Sequence, residues 1–435
     1  MPSSAVGPLV LFLSILLAAA HLLGYLFAKL RQPRVIGEIL AGIVLGPFVL
    51  GRWSSYASLL QLNVASSEKK AALDLIYWMG LLLLMFLSGA ETKSLFQKHE
   101  RKQITWLAIA GTCLPFFAML AVGSILPLAW FMGSKGSRGS LLLVMSIAVA
   151  VTSIPVISRI FFDLKILHTR FARLVLGVAV LEDIGLWAVL AIATALAASS
   201  SLPEKKIVAH VAVTILYFLI GLAPAPRIFK RVSKSRFNVL AINSPVTYTL
   251  LIVFTYIAIA GLMDVNLVFA AFLAGFAVSR KRLGEALEAI SHFSFAFFIP
   301  LYFALVGYSL VFGKAFSVLM LLVFLAGACL LKLASVVMGA RLAGFHGLDV
   351  VNLAIATNAR GGPGIILASV AFEAGIISPA FYTTLVLVAV MTSQAAGAWL
   401  EFVIRKGWPL LSAESGNTTY LVPKEVPDTS SGLKA

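Results

Sequence analysis

The chain has 435 residues, of which 60% are hydrophobic and 12% charged, against about 45 to 50% apolar and 25% charged in soluble domains. A water-soluble core of this composition would leave large apolar patches exposed, so a soluble reading is excluded and the bilayer becomes the expected partner. The formal net charge of +16 does not point to nucleic acid, because the basic residues sit in short runs between apolar stretches, as loop charge does.

The first apolar run, near 8–28, has no basic leader and is too long for the apolar core of a signal peptide, so it reads as a retained span. Runs near 35–50, 73–90, 103–127 and 139–161 follow, the last interrupted at Pro155. The run 171–199 carries Glu182 and Asp183 at its middle, and 207–223 reads as a linker. Runs 246–263, 265–279 and 293–312 lead to 315–340, which holds Lys332, then to 350–373, which holds Arg360 and is interrupted at Pro363, and finally to 380–404. The expected fold is an all-α polytopic membrane protein of about 13 transmembrane helices. Its predicted parts are a first six-helix repeat over 1–205, a linker helix over 206–230, a second six-helix repeat over 231–406 and a polar, disordered cytoplasmic tail over 407–435.

Sorting Lys and Arg into alternate loops places about 24 on one side and about 8 on the other, which predicts an odd number of spans, an outside N-terminus and a cytoplasmic C-terminus in an inner membrane. Cys113 and Cys329 lie within apolar segments with neither disulfide nor zinc spacing, and no cofactor is expected.

Two features predict inverted repeats. The segment Ile39 to Gly46 (ILAGIVLG) resembles Phe272 to Ser279 (FLAGFAVS), and the proline-interrupted spans fall at matching places about seven spans apart. Paired interrupted helices in corresponding halves point to a transport site near the membrane midplane.

The buried chemistry is confined to a few residues. Glu182 and Asp183 lie amid uncharged helix, where an ionisable group costs at least about 2.5 to 3.5 kcal/mol and so faces a cavity or a partner. Adjacent residues point about 100° apart on a helix, so one carboxylate can meet a partner while the other faces water. A carboxylate that binds either a proton or a hard monovalent cation couples the two fluxes through one site. Thr152 and Ser153 add hydroxyl oxygens at the first interruption, and Arg360 stands where it can neutralise exposed helix-end carbonyls. Lys332 is the expected countercharge for Glu182 or Asp183, with snorkelling to the interface as the alternative. Glu38 reads equally as a pore residue or an interfacial one near a span start. The six histidines show no metal spacing and are expected mostly in loops, and Asp264 reads as a tight turn.

The segments VIGEILAGIVLGP, LSGAE at Leu87 to Glu91, AVAVTSIPVISR, GVAVLEDIGLW, FFIPLYFALVGYSL, LLKLASVVMGARLAG and ARGGPGIILAS occur in order over about residues 8–404. Together they resemble the monovalent cation:proton antiporter superfamily 2, in the sodium/hydrogen exchanger fold. The resemblance implies two crossed broken helices in a mobile core, a separate dimerisation domain and hence a homodimer, and elevator-like alternating access. It implies that Asp183 is the ion-binding aspartate, that Glu182 holds the preceding place with Lys332 as its basic partner, and that Thr152 and Ser153 are the polar pair of the first crossover. The glutamate at 182 is a departure, since that place is Asp or Asn in many members, and it leaves the stoichiometry open, as does Arg360. Relatives gated by glutathione carry a large nucleotide-binding domain beyond the last span, so that form of regulation is not expected here. The expected function is exchange of Na+ or K+ for H+, with a monovalent cation held at Asp183. A channel-like potassium efflux protein and an organic-anion symporter are the competing readings.

Overall fold

The computed structural model describes residues 3–30, 32–52, 67–95, 101–167, 169–198, 204–232, 238–278, 280–312 and 316–412. Runs of large apolar residues on every face of a helix make segments that lipid or protein must surround, and the described chain is almost wholly helical. The helices are α1 (Ser3–Lys29), α2 (Arg34–Leu45), α3 (Ser67–Leu95), α4 (Arg101–Ala108), α5 (Leu114–Ile125), α6 (Arg138–Ala150), α7 (Ile154–Asp163), α8 (Arg170–Ala198), α9 (Glu204–Leu222) and α10 (Pro224–Val232). There follow α11 (Val239–Asn243), α12 (Pro245–Leu262), α13 (Leu267–Ala277), α14 (Arg280–Phe293), α15 (Ile299–Tyr308), α16 (Val318–Leu342), α17 (Leu348–Thr357), α18 (Gly361–Glu373) and α19 (Pro379–Arg405). Single π-helical turns, Ile109–Cys113 and Ser294–Phe298, join α4 to α5 and α14 to α15.

Eight helices among the described residues are long and apolar enough to cross a membrane, nine if α9 and α10, bent by 41°, count as one span. The chain is therefore a multi-pass membrane protein. The other expected spans are short, as in α2 and α13, or broken, as in α6/α7 and α17/α18, so length alone does not identify them.

Two groups of helices pack side by side. In the first, α2 lies between α1 and α15, and α13 lies on α3 and α12. The second holds α4 to α8 with α16 to α19, and α9 touches both α8 and α13. Glycines set the spacing in the first group. A Cβ on Gly42 would sit 1.8 Å from the Ala304 carbonyl oxygen, and one on Gly307 would sit 2.0 Å from that of Ile39. The second pair repeats the pattern, with Gly275 against Phe86 O (1.9 Å) and Gly89 against Phe272 O (2.1 Å). Thus Gly42 and Gly275, each in the sequence LAG, meet partner helices through the same two-point contact, which only small residues allow.

In the second group, the loop between α5 and α6 is tied to the turn between α18 and α19. Gly133 N donates to Ile376 O (2.9 Å), Lys135 N to Gly375 O (2.9 Å) and Ser378 N to Phe131 O (2.9 Å). Both broken spans are therefore held together at one end.

Three expectations need correction. The predicted tail starts too early: Leu410 and Leu411 are fully buried, Asn352 donates to Leu410 O (3.1 Å) and Ser412 to Asp349 (2.8 Å), so 407–412 dock against α17, while 413–435 lie outside the described residues. The prolines do not themselves occupy the interruptions. Pro155 and Pro363 fall in the first turns of α7 and α18, where a missing N–H costs nothing, and the unwound residues precede them. Of the histidines, His21, His210 and His292 are helical and His346 lies in a loop, while His99 and His168 are outside the described residues. Asp264 does occupy a turn, with φ of 54°.

Candidate ion site at the crossed breaks

Helix α6 stops at Ala150 and α7 starts at Ile154, while α17 stops at Thr357 and α18 starts at Gly361. The two breaks cross and are stitched to each other. Ser153 N donates to Ala359 O (2.7 Å) and the Thr152 hydroxyl to Thr357 O (2.5 Å). Non-helical backbone at membrane depth survives only where protein or a water-filled cavity satisfies it, and these bonds, with Gly361 N on Ser393 Oγ (3.0 Å), meet that need. Gly361 has φ of +35°, and a Cβ there would lie 2.5 Å from Val156 Cγ2, so the crossing requires glycine at this point. The Ser153 hydroxyl accepts from Val156 N (3.3 Å) and so caps α7.

The carbonyl end of α6 carries partial negative charge, and two buried cations meet it. Arg360 donates through Nε to Ala148 O (2.9 Å) and through a terminal nitrogen to Val149 O (3.3 Å) and to Ala328 O on α16 (2.9 Å). The Lys332 ammonium donates to Ala150 O. It also donates to Gly111 O (2.9 Å) and to Glu182 Oε1 (2.8 Å), so all three of its protons are used. The π-turn over Ile109–Cys113 explains the Gly111 contact, since such a turn displaces a carbonyl from the regular ladder. A Cβ on Gly111 would lie 3.1 Å from Val336 Cγ2 on α16, so glycine lets this turn approach the helix that carries Lys332.

Glu182 meets a partner, as expected of one of the two carboxylates, but Asp183 does not face the cavity as was expected of the other. Glu182 spends Oε1 on Lys332, whereas Asp183, fully buried, has no hydrogen-bond partner on either oxygen. Glu182 Oε2, Thr112 Oγ1, Ser146 Oγ and Asn358 Oδ1 are also buried without partners. Asn358 is a residue that the sequence reading passed over, although an amide beside Arg360 at the interruption of an apolar span was a visible signal. Its amide nitrogen donates to Cys329 Sγ (3.3 Å), which also takes a long contact from Arg360 (3.9 Å).

A cavity of about 980 Å³ opens between the two helix groups. Its wall takes Arg34, Glu38 and His292 from the first group, and Val156, Gly362 and Pro363 from the turns just after the breaks. Asp183 does not line it.

The family model of the transmembrane sodium/hydrogen exchanger matches residues 15–406. Cation/H(+) antiporter 17 of Arabidopsis thaliana is 26% identical over 94% of this chain and 50% of its own length, and the chain spans about half the length of the Arabidopsis relative. The Na(+)/H(+)-K(+) antiporter GerN of Bacillus cereus is 26% identical over 90% of this chain and 95% of that protein. The sodium proton antiporter MjNhaP1 of Methanocaldococcus jannaschii superposes with a TM-score of 0.59 over 93% of this chain and 98% of that one, at 15% identity, which shows a common fold. With the crossed breaks at its centre, the chain belongs to the transmembrane sodium/hydrogen exchanger family.

Proposed function

We propose that the chain exchanges a monovalent cation, Na+ or K+, for protons across a membrane by alternating access, with Asp183 as the group that both ions share. One observation carries this reading: a carboxylate without any exposure has both oxygens free of hydrogen bonds, although burying an unpaired carboxylate is among the most costly arrangements in a protein. A bound proton or a bound cation each removes that cost, and the two cannot occupy the same oxygens at once. Their competition links one flux to the other. Glu182 is less suited to the exchange because Lys332 already neutralises it, and with Arg360 this pair keeps the crossing together. Thr152 and Ser153 supply oxygens at the crossing while their hydroxyl groups hold its geometry.

The reciprocal glycine contacts of α2 and α13 and the crossed breaks support two inverted repeats, and the broken and short helices fit thirteen segments. The asymmetry of basic loops supports an outside N-terminus and a cytoplasmic C-terminus in an inner membrane, and the family's separate dimerisation domain supports a homodimer. The channel-like alternative has no observation of its own in support, since the cavity wall does not include Asp183. Proton flux in reconstituted vesicles challenged with Na+, K+ and Li+ in turn tests the reading. Asp183→Asn is expected to stay folded and to lose exchange for every cation, whereas full exchange in that variant refutes the assignment.

A further inference from the structure

We propose that Glu38 forms a second cation site in the cavity, a station at which the monovalent ion is held before it reaches Asp183; this rests on the exchange reading above. Glu38 is 8% exposed, and that exposure is to the cavity it lines. Among the described lining residues it is the one carboxylate. The cavity floor is formed by the turns that follow the breaks, at Val156, Gly362 and Pro363, so an ion entering from this face passes Glu38 on its way to the crossing.

The side chain is held in place by its backbone. Helix α2 touches α1 at Gly37, where a Cβ would lie 2.4 Å from the Leu23 carbonyl, and touches α15 at Gly42, where it would lie 1.8 Å from Ala304 O. Contacts of backbone on backbone on both sides leave α2 little freedom to turn Glu38 away from the cavity.

The groups around it fit a transient cation site. On its own helix, Arg34 stands one turn away and is exposed. His21 and Tyr25 face the cavity from α1 and His292 from α14, while the lining residues of α7 and α18 include no titratable group. His21 donates Nε2–H to Ala296 O (2.9 Å), a carbonyl of the second π-turn, which commits that ring nitrogen. One carboxylate with a cation four residues before it favours brief retention over tight binding, as an entry site requires.

The test uses the whole chain in vesicles sorted for one orientation, with Na+ or K+ applied to each face in turn. Glu38→Gln is expected to raise the half-saturating cation concentration on the Glu38 face about tenfold, more than any fall in maximal rate, and to leave the other face unchanged; loss of a nearby unit charge is a change of this order. Glu38→Asp is expected to recover most of the affinity. Arg34→Gln, at an exposed position, is expected to shift the same value about two- to threefold in the opposite direction, an effect that salt reduces, and this arm remains decisive if Glu38→Gln does not fold. Wild-type half-saturation in folded Glu38→Gln, an equal change on both faces, or an Arg34→Gln effect of zero or the wrong sign overturns the proposal. Failure of the exchange reading is separate, because it appears as normal exchange in Asp183→Asn.

Discussion

Glu182 and Asp183 are consecutive residues with similar side chains, yet one is paired and the other is not. The difference arises from the helix turn of about 100° between them and from Lys332, which reaches Glu182 from α16. Lys332 also serves Gly111 O and Ala150 O, so its removal takes a donor from a buried carboxylate and from two carbonyls. Breaking a buried pair from one side costs about 3 to 5 kcal/mol. Lys332→Gln should therefore be less thermostable than the Lys332→Gln/Glu182→Gln double variant, with a coupling above about 0.5 kcal/mol in the double-mutant cycle; simple additivity would show that the contact contributes nothing. The charged residues at this scale were legible in the sequence because charge amid apolar residues is conspicuous. The partner of Lys332 was narrowed only to two residues, since choosing between neighbours needs the rotation of α8 relative to α16. The role of Gly111 was not legible at all, because a π-turn in IAGTC has no proline to mark it and a single threonine is ordinary in an apolar helix.

At the scale of helices, the LAG segments show how a sequence match acquires a physical cause. Gly42 and Gly275 are equivalent by sequence, and the partners that make glycine necessary, Ala304 and Phe86, lie on α15 and α3, each three residues before the glycine of a Leu-x-Gly segment too short to be noticed alone. Only the fold shows that each glycine meets a carbonyl oxygen at a distance that no Cβ tolerates. Gly275→Ala or Gly42→Ala must separate two helices, and overpacking of this kind costs about 1 to 3 kcal/mol. Thermal unfolding in detergent should show both variants destabilised. Gly327→Ala, in α16 with nothing near its Cβ position, should be unaffected, and an equal loss there would mean that the close contacts are not the cause. The broken spans follow a similar logic. Their prolines were read as the interruptions, but proline fits the first turn of a helix, and the chain unwinds just before it, where Thr152, Ser153, Asn358 and Arg360 are placed.

Among the described residues, the molecule has a cavity on one side and contacts that bridge the two helix groups on the other, and both run along α15 and the turn after it. Phe303 of α15, with Phe295, Ala296 and Ile299 near the start of that helix, lines the cavity. On the other side, Tyr302 and Ser309 reach across to the second group of helices. Tyr302 OH meets Ser369 Oγ at 3.2 Å, Ser309 Oγ meets Tyr382 OH at 3.2 Å, and Val311 N donates to Thr383 Oγ1 at 3.1 Å. The Phe372 ring stacks on Tyr382 and Phe381 lies against Phe131 and Phe324, so apolar packing surrounds the hydroxyl pairs. If exchange proceeds by alternating access, these three contacts must break each time the opposite face opens. Each hydrogen bond lost contributes about 1 kcal/mol, or about fivefold in the ratio of the two states. Tyr302→Phe and Tyr382→Phe keep the rings and remove the hydroxyls, so each should shift the population about fivefold toward the state open on the far face, and the double variant should shift it further. A single cysteine introduced at Phe303, on the cavity wall, should then react more slowly with a membrane-impermeant thiol reagent added from the cavity's face, in a background lacking Cys113 and Cys329. Unchanged labelling rates in the double variant would show that the hydroxyl contacts do not set the balance between the two states, and would leave the aromatic packing as the seal.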